Sequence, residues 1–417
     1  MMKLGEKLAA IDAEAQTALA PVFAEFDRVS RINTEKVLEA FARNRVSEAM
    51  FAGSTGYGYT DVGRDALDKI YAEVFGAEAA FCRHNIVNGT QAISIGLFGL
   101  LRPGDVMLSI TGRPYDTLSE VIGDRAKNGD GSLADFGVDY DEVTLLDGKI
   151  DYPSVLEKIK KYGKRIKVIF LQRSKGYMLR PTLSPEEIGA AAEFCHKNSD
   201  AYVVVDNCYG TFCDTCEPTA LGADMIIGSL IKNAGGGLAS CGGYIAGKSR
   251  AVELASYRLT TVGIGTEVGA TIGENRNLFR GFFMAPHTVA QAKKTAAYAA
   301  FVFEKLGYDV EPRYDVVRHD IIQTVTLGTA EGLCDFCRGI QAGSPVDSFV
   351  TPVPWAMPGY DCEVIMAAGT FISGASIEIS ADGPLRPPYV AYFQGGLTYE
   401  SGRYAILSAA KALAKKE

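Results

Sequence analysis

The chain has 417 residues, long enough to bury a large core and to add a second domain. Hydrophobic residues make up 47% and charged residues 22%, both ordinary for a globular protein. The net charge of −8 argues against nucleic acid or an acidic membrane surface as a partner. No run of 18 apolar residues is present, so no spanning helix is expected. The first residues, MMKLGEKLAAIDAEAQTALAPVF, mix acids throughout and hold no apolar signal core, which predicts a cytoplasmic protein.

In chain order, residues 3–52 carry apolar side chains at three- and four-residue spacing and predict helices. Residues 1–55 are expected to form an arm that packs on a partner subunit or caps a large domain. The segment from Tyr57 to Arg64 reads on its own as a glycine-rich surface loop. From about Asp61 to Tyr257, short apolar runs alternate with helix-like runs. That alternation predicts an α/β domain over residues 56–284, a mostly parallel sheet with helices on both faces. Within it, Asn88-Gly89-Thr90-Gln91 precedes an apolar helical run. Free N–H groups at such a helix start bind phosphate, although Asn88 or Thr90 also suits an ordinary cap. A strand follows from Val106 to Ile110, ending at Thr111-Gly112-Arg113-Pro114-Tyr115, and residues 185–197 predict a crossover helix.

The stretch from Ala201 to Lys248 is the richest in chemistry. One apolar run, Tyr202 to Val205, ends on Asp206, and a second, Met225 to Gly228, ends on Ser229. Lys232 lies just beyond, followed by Gly235, Gly236 and Gly237. Buried parallel strands read this way, and open α/β sheets bind ligands where such strands end. A carboxylate at one strand end and a lysine after the next suit pyridoxal phosphate, which needs an amine for its aldehyde and an acid against its pyridine nitrogen. Leu230 and Ile231 flank the lysine and predict a dry site in which burial depresses its pKa. Tyr115 is placed to lie over the ring, or to pack as a core tyrosine.

Residues 258–283 are rich in glycine and polar groups, and are expected at the site or an interface. A long helix is predicted from Ala285 to Leu306, beginning after Pro286. A smaller α+β domain over 285–417 follows, with strands near residues 321–327, 363–367 and 376–380. Nine cysteines, an odd number, do not read as a disulfide framework. The pairs Cys213/Cys216 and Cys334/Cys337 lie far apart, so helical spacing or chance explains them better than zinc, and no metal is expected. The histidines His84, His196, His287 and His319 show no ligand spacing.

Segments from Tyr57 to Glu400 together resemble one group of proteins. They include YGYTDVGRDALDKIYAEVFGAE, NGTQAI, GRPYDTL, LQRSKGY, VVVDNCYG, GSLIKNAGGG, GFFMAPHTV and QAGSPVDSFVTPVPWAMPGYDCEVIMAAGTF. The chain resembles the fold type I pyridoxal-phosphate enzymes of cysteine and methionine metabolism. It is most similar to the methionine gamma-lyase-like branch, often labelled aluminium resistance proteins. The resemblance implies that Lys232 is the Schiff-base lysine, Asp206 the pyridine partner and Tyr115 the stacking ring. It also implies that Gly89, Thr90 and Ser229 cradle the phosphate. Tyr57, Tyr59 and Arg64 match the segment that reaches a neighbouring subunit's phosphate, which implies a homodimer or homotetramer with shared sites.

The chain also departs from the lyase pattern. Ile231 stands where the lyases commonly have a threonine, and Gln172-Arg173-Ser174 where an asparagine meets the ring hydroxyl. The late arginine that binds the substrate carboxylate aligns with Tyr392; Arg386 or Arg403 is the expected replacement. The activity implied is carbon–sulfur lysis of cystathionine, methionine or a cysteine conjugate. An aminotransferase, or a cofactor-binding stress protein with little turnover, stands as the alternative.

Overall fold

The computed structural model describes residues 4–123, 129–357 and 360–414. Pro358 and Gly359, part of one segment that carried the resemblance, lie outside the described residues, as do residues 1–3 of the expected arm and 415–417 of the expected C-terminal domain.

Two helices open the chain, α1 (Leu4–Ala18) and α2 (Ala20–Arg43). The large domain then supplies α3 (Val62–Val74), α4 (Gly89–Leu100), α5 (Asp116–Ile122), α6 (Tyr152–Tyr162), α7 (Pro185–Asn198) and α8 (Ser249–Leu259). Its sheet has seven strands: β1 (Ala79–Arg83), β2 (Val106–Ser109), β3 (Asp139–Glu142), β4 (Ile166–Gln172), β5 (Tyr202–Asp206), β6 (Met225–Ser229) and β7 (Gly243–Gly247). The strand order is β1-β7-β6-β5-β4-β2-β3. β2 to β6 pair in parallel, and β7 runs antiparallel to β6 and β1.

Both faces of this sheet are buried, which is why its strands read as apolar runs rather than alternating ones. Val203 and Val205 of β5 join a core with α3, α6 and α7; Val204 between them joins a second core with α4, α5 and α8. With both faces dry, the polar residues of these strands collect at their carboxyl ends. Gln172, Asp206 and Ser229 are the last residues of β4, β5 and β6.

A long helix, α9 (Asn275–Lys305), links the two halves. It starts well before Pro286 and runs through it, unlike the predicted helix. Proline removes one backbone bond and crowds the preceding turn, and tertiary packing overrides that cost. Phe279 and Phe282 lie in the turns before the proline and are fully buried. The Phe282 ring stacks on Tyr71 at 4.0 Å.

The C-terminal unit has five antiparallel strands: β8 (Asp309–Glu311), β9 (Ile322–Thr326), β10 (Val364–Ala367), β11 (Ser380–Pro384) and β12 (Val390–Gln394). Their order is β10-β11-β12-β9-β8, and the helices α10 (Ala330–Ala342) and α11 (Tyr399–Leu413) complete the layer. β11 begins where the expected strand at 376–380 ends. Residues 375–378 turn instead, because the Glu378 carboxylate accepts the N–H groups of Phe371 and Ile372. Strand alternation sorts this sheet. Val325, Ile365, Ala367, Ala381, Ala391 and Phe393 enter the core with α10 and α11. Ile322, Met366, Asp382 and Gln394 face the other way, onto a cavity shared with the large domain. No helix among the described residues is long and apolar enough to cross a membrane.

Candidate active site

A cavity of ≈ 280 Å³ sits at the carboxyl ends of β4, β5 and β6, beneath the polar face of the small sheet. Asp206, Ser229, Lys232, Gly89, Thr90 and Tyr115 all line it. Six of the residues singled out in the sequence therefore converge on one space, although they span more than half the large domain.

Asp206 is buried, and its Oδ1 accepts the Cys208 N–H at 3.0 Å, which fixes the carboxylate at the strand end. Lys232 follows β6 by one short turn. Gly235 closes that turn by donating to the Lys232 carbonyl at 3.3 Å. Only glycine fits there, because a Cβ would stand 1.7 Å from the Leu230 carbonyl oxygen. Asn233 fastens the same turn to the chain after β5, donating to the carbonyls of Tyr209 (2.9 Å) and Thr211 (3.0 Å). The Lys232 ammonium lies 3.9 Å from the centre of the Tyr209 ring.

The charge of Lys232 differs from the sequence expectation. Burial pulls its pKa down, as expected, but Tyr209, Cys208, Asp206 and Tyr115 crowd the ammonium and together raise it. The site is dry, and Asp206 is the one anion among those four groups, because burial holds the Cys208 thiol and both phenols neutral.

The opposite end of the cavity suits an anion. α4 starts at Gly89, and its Asn88 cap accepts the Gln91 N–H at 2.8 Å. The first N–H groups of the helix point toward the cavity mouth with the positive end of its dipole. Ser229 Oγ is buried and has no hydrogen-bond partner among the described residues. Gly89 keeps the approach open: a Cβ there would come within 3.0 Å of Cys208 Sγ and 3.3 Å of Ser229 Cβ. Thr90 Oγ1 lies 3.0 Å from the Tyr115 hydroxyl. Tyr115 is held by its own N–H, which donates to Gln172 Oε1 at 2.8 Å. Burial raises the Tyr115 pKa, and Asp206 and Cys208 raise it further, so the ring stays neutral. An orphaned buried hydroxyl, a helix start, a tyrosine ring, a buried carboxylate and a buried lysine around one cavity fit pyridoxal phosphate.

Other expected residues lie elsewhere. Tyr57 and Tyr59 are 74% and 60% exposed, with rings stacked at 5.6 Å, outside this chain's cavity. Arg64 is buried within this chain, and its guanidinium donates to the carbonyls of Gly58 (2.7 Å) and Gly269 (3.1 Å) and to Asp65. Those bonds hold the tyrosine loop against the segment around Gly269. Neither arginine expected at the substrate carboxylate reaches the cavity. Arg403 is paired with Asp12, its Nε 2.7 Å from Oδ1. Arg386 is exposed just beyond β11, near Tyr392, and does not line the cavity.

Several residues were missed. Tyr177, Tyr209, Tyr360, Asp382 and Gln394 line the cavity. Tyr209 donates to Gln394 Oε1 at 2.9 Å and so ties the cofactor side to the small sheet. Arg173 is wholly buried beneath the site, bonded to Asn207 Oδ1 (2.7 Å) and Asp214 Oδ2 (2.5 Å). It joins β4 to β5 just past their ends. VVVDNCYG contains Asn207 and Tyr209, so their closeness to Asp206 was the available signal.

Residues 8–414 match the profile of the family described as methionine gamma-lyase. The chain is 49% identical over 415 residues to the protein YnbB of Bacillus subtilis (strain 168), covering 99% of this chain and 98% of that one. A solved structure from Clostridium acetobutylicum, named as a candidate cystathionine beta-lyase involved in aluminum resistance, is 47% identical with a TM-score of 0.94. The match covers 98% of this chain and 96% of that one. A solved carbon–sulfur lyase involved in aluminum resistance from Clostridium novyi NT is 45% identical, with a TM-score of 0.93 over 97% of this chain and 96% of that one. The architecture is that of the fold type I pyridoxal-phosphate enzymes.

Proposed function

The chain belongs to the methionine gamma-lyase family, and from that premise we propose that it is a pyridoxal-phosphate-dependent carbon–sulfur lyase acting on a sulfur amino acid. The substrate class is cystathionine, methionine or a cysteine conjugate. The observation that carries this reading is the convergence of Lys232, Asp206 and the unpartnered Ser229 hydroxyl on one buried cavity.

In this reading Ser229 Oγ and the first N–H groups of α4 would hold the phosphate, Asp206 would meet the pyridine nitrogen, and Tyr115 would cover the ring. When bound, pyridoxal phosphate would supply an aldehyde for amines and an electron sink for a broken Cα–H bond. Lys232 Nζ would provide the anchoring amine and, when free, would take the Cα proton. Its neighbour Tyr209, whose ring centre lies 3.9 Å from Nζ, would orient that amine in the cavity. For a γ-leaving group the same Nζ moves the proton at Cβ. Burial of the cavity under the small sheet excludes water until the thiol has left.

The exposed Tyr57–Tyr59 pair supports a site completed by a second copy, whose cavity these hydroxyls reach. The active unit is then a homodimer or a dimer of dimers. Incubation of the loaded protein with a panel of sulfur amino acids tests the activity. Thiol, ammonia and keto acid released together support the lyase. Amino transfer without thiol release overturns it in favour of an aminotransferase.

A further inference from the structure

Cavity charge narrows the substrate class. Among the described residues that line the cavity, Lys232 is the one cation, against three carboxylates, Asp116, Asp206 and Asp382. The proposed function uses Lys232 and Asp206. It leaves Asp382 without a role.

Asp382 is placed by the fold. It sits in β11, between Met366 of β10 and Tyr392 of β12, and strand alternation turns it away from the apolar core onto the cavity. It is 7% exposed. The Tyr177 hydroxyl is near enough to help hold the carboxyl down, and Gln394 Nε2 stands 3.5 Å from Oδ2. Oδ1 has no partner among the described residues. Burial pushes the group up to about 6, against Tyr177, Lys232 and Gln394, which pull it down. A buried carboxylate with a free oxygen is costly unless a cation or donor meets it. The rings of Tyr177 and Tyr360 lie beside it, 5.7 Å apart, and an ammonium is attracted to such faces.

We propose that Asp382 is a specificity-determining residue that pairs with a distal ammonium on the substrate side chain, so that the cavity selects diamino acids over amino acids with neutral thioether side chains. A neutral side chain would seal Asp382 away from water unpaired. A side chain ending in an ammonium supplies its missing partner. The inference rests on the reading that Lys232 and Asp206 hold the cofactor end of the cavity.

The test uses two probes that differ in one charge, the α-methyl forms of S-(3-aminopropyl)-L-cysteine and S-butyl-L-cysteine, which have no Cα proton to lose. Calorimetry measures their Kd on the full chain loaded with pyridoxal phosphate, and on Asp382→Asn. The native protein is expected to bind the ammonium probe about tenfold more tightly or better. In Asp382→Asn that ratio falls to about one, while cofactor content and the affinity for the S-butyl probe hold or improve. A native protein without the preference overturns the proposal, whether or not the variant folds; so does a variant that keeps it. A chain that takes up no cofactor at Lys232 fails the underlying reading instead, whereas a loaded chain indifferent to the ammonium fails Asp382 alone.

Discussion

Replacing Ser229 by alanine is expected to separate two quantities that usually move together. The Ser229 hydroxyl is buried at the end of β6 with no partner among the described residues. A buried, unsatisfied hydroxyl costs roughly 1–3 kcal/mol. Alanine keeps the Cβ that packs toward Gly89 and removes only the oxygen. The cofactor-free variant should therefore be as stable as the native chain, or more stable by up to that amount. Under the proposed function, the same hydroxyl would donate to a phosphate oxygen in the loaded protein. A hydrogen bond to a charged group contributes roughly 1.5–3 kcal/mol, and about 1.4 kcal/mol is a factor of ten. Affinity for pyridoxal phosphate should then fall roughly 10- to 150-fold. Urea unfolding of the cofactor-free proteins gives the first quantity, and absorbance titration with the cofactor gives the second. A variant that unfolds more easily yet binds the cofactor as tightly as before refutes the assignment of Ser229 to the phosphate.

Three further outcomes are expected. Burial raises the Asp61 carboxyl, but the Arg64 N–H, Ser54, Thr271 and Asn275 outweigh it and hold the group at about 2. A folded pKa below the unfolded value contributes stability above pH ~4 that is lost as pH falls through about 2. Asp61→Ala should cost about 2 kcal/mol near neutral pH, and urea midpoints of variant and native chain should converge between pH ~4 and ~2. Gly235→Ala should destabilise the fold by roughly 1–3 kcal/mol, because its Cβ would meet the Leu230 carbonyl at 1.7 Å; it should also lower cofactor uptake, read as bound cofactor per chain. Co-refolding Lys232→Ala with the double variant Tyr57→Phe/Tyr59→Phe should restore lyase activity that neither has alone, since a mixed dimer holds one intact site. No recovery in confirmed mixed dimers would place those tyrosines outside the partner's site.

Much of the cofactor end could be read from the chain because it is local. Asp206 and Ser229 each terminate a buried apolar run, and Gly89 follows an asparagine cap, so strand ends and a helix start announce themselves over a few residues. The substrate end is assembled from afar. Asp382 and Gln394 face the cavity only because β11 and β12 present their polar side to the large domain, which no local pattern reveals. Arginines are hard to place from sequence. Arg173, in the segment that stands where the lyases' asparagine meets the ring hydroxyl, is wholly buried and bonded to Asn207 and Asp214, while Arg386 is exposed and Arg403 pairs with Asp12. Arg64 follows the expected loop, and its guanidinium donates to Gly58 within that loop and to Gly269 of a distant one. The pKa of Lys232 is raised rather than depressed because groups from separate segments, Tyr209, Cys208, Asp206 and Tyr115, outweigh its burial. Pro286 marked a helix boundary that aromatic packing on Tyr71 removed.

The central claim is that Lys232 is the amine that anchors pyridoxal phosphate in the cavity. Borohydride reduction of the loaded chain, followed by peptide mass analysis, tests it most directly. The account predicts a reduced pyridoxyl adduct on the peptide bearing Lys232 and none on a Lys232→Ala variant. An untagged native chain, or an adduct on another lysine that persists in the variant, would contradict it.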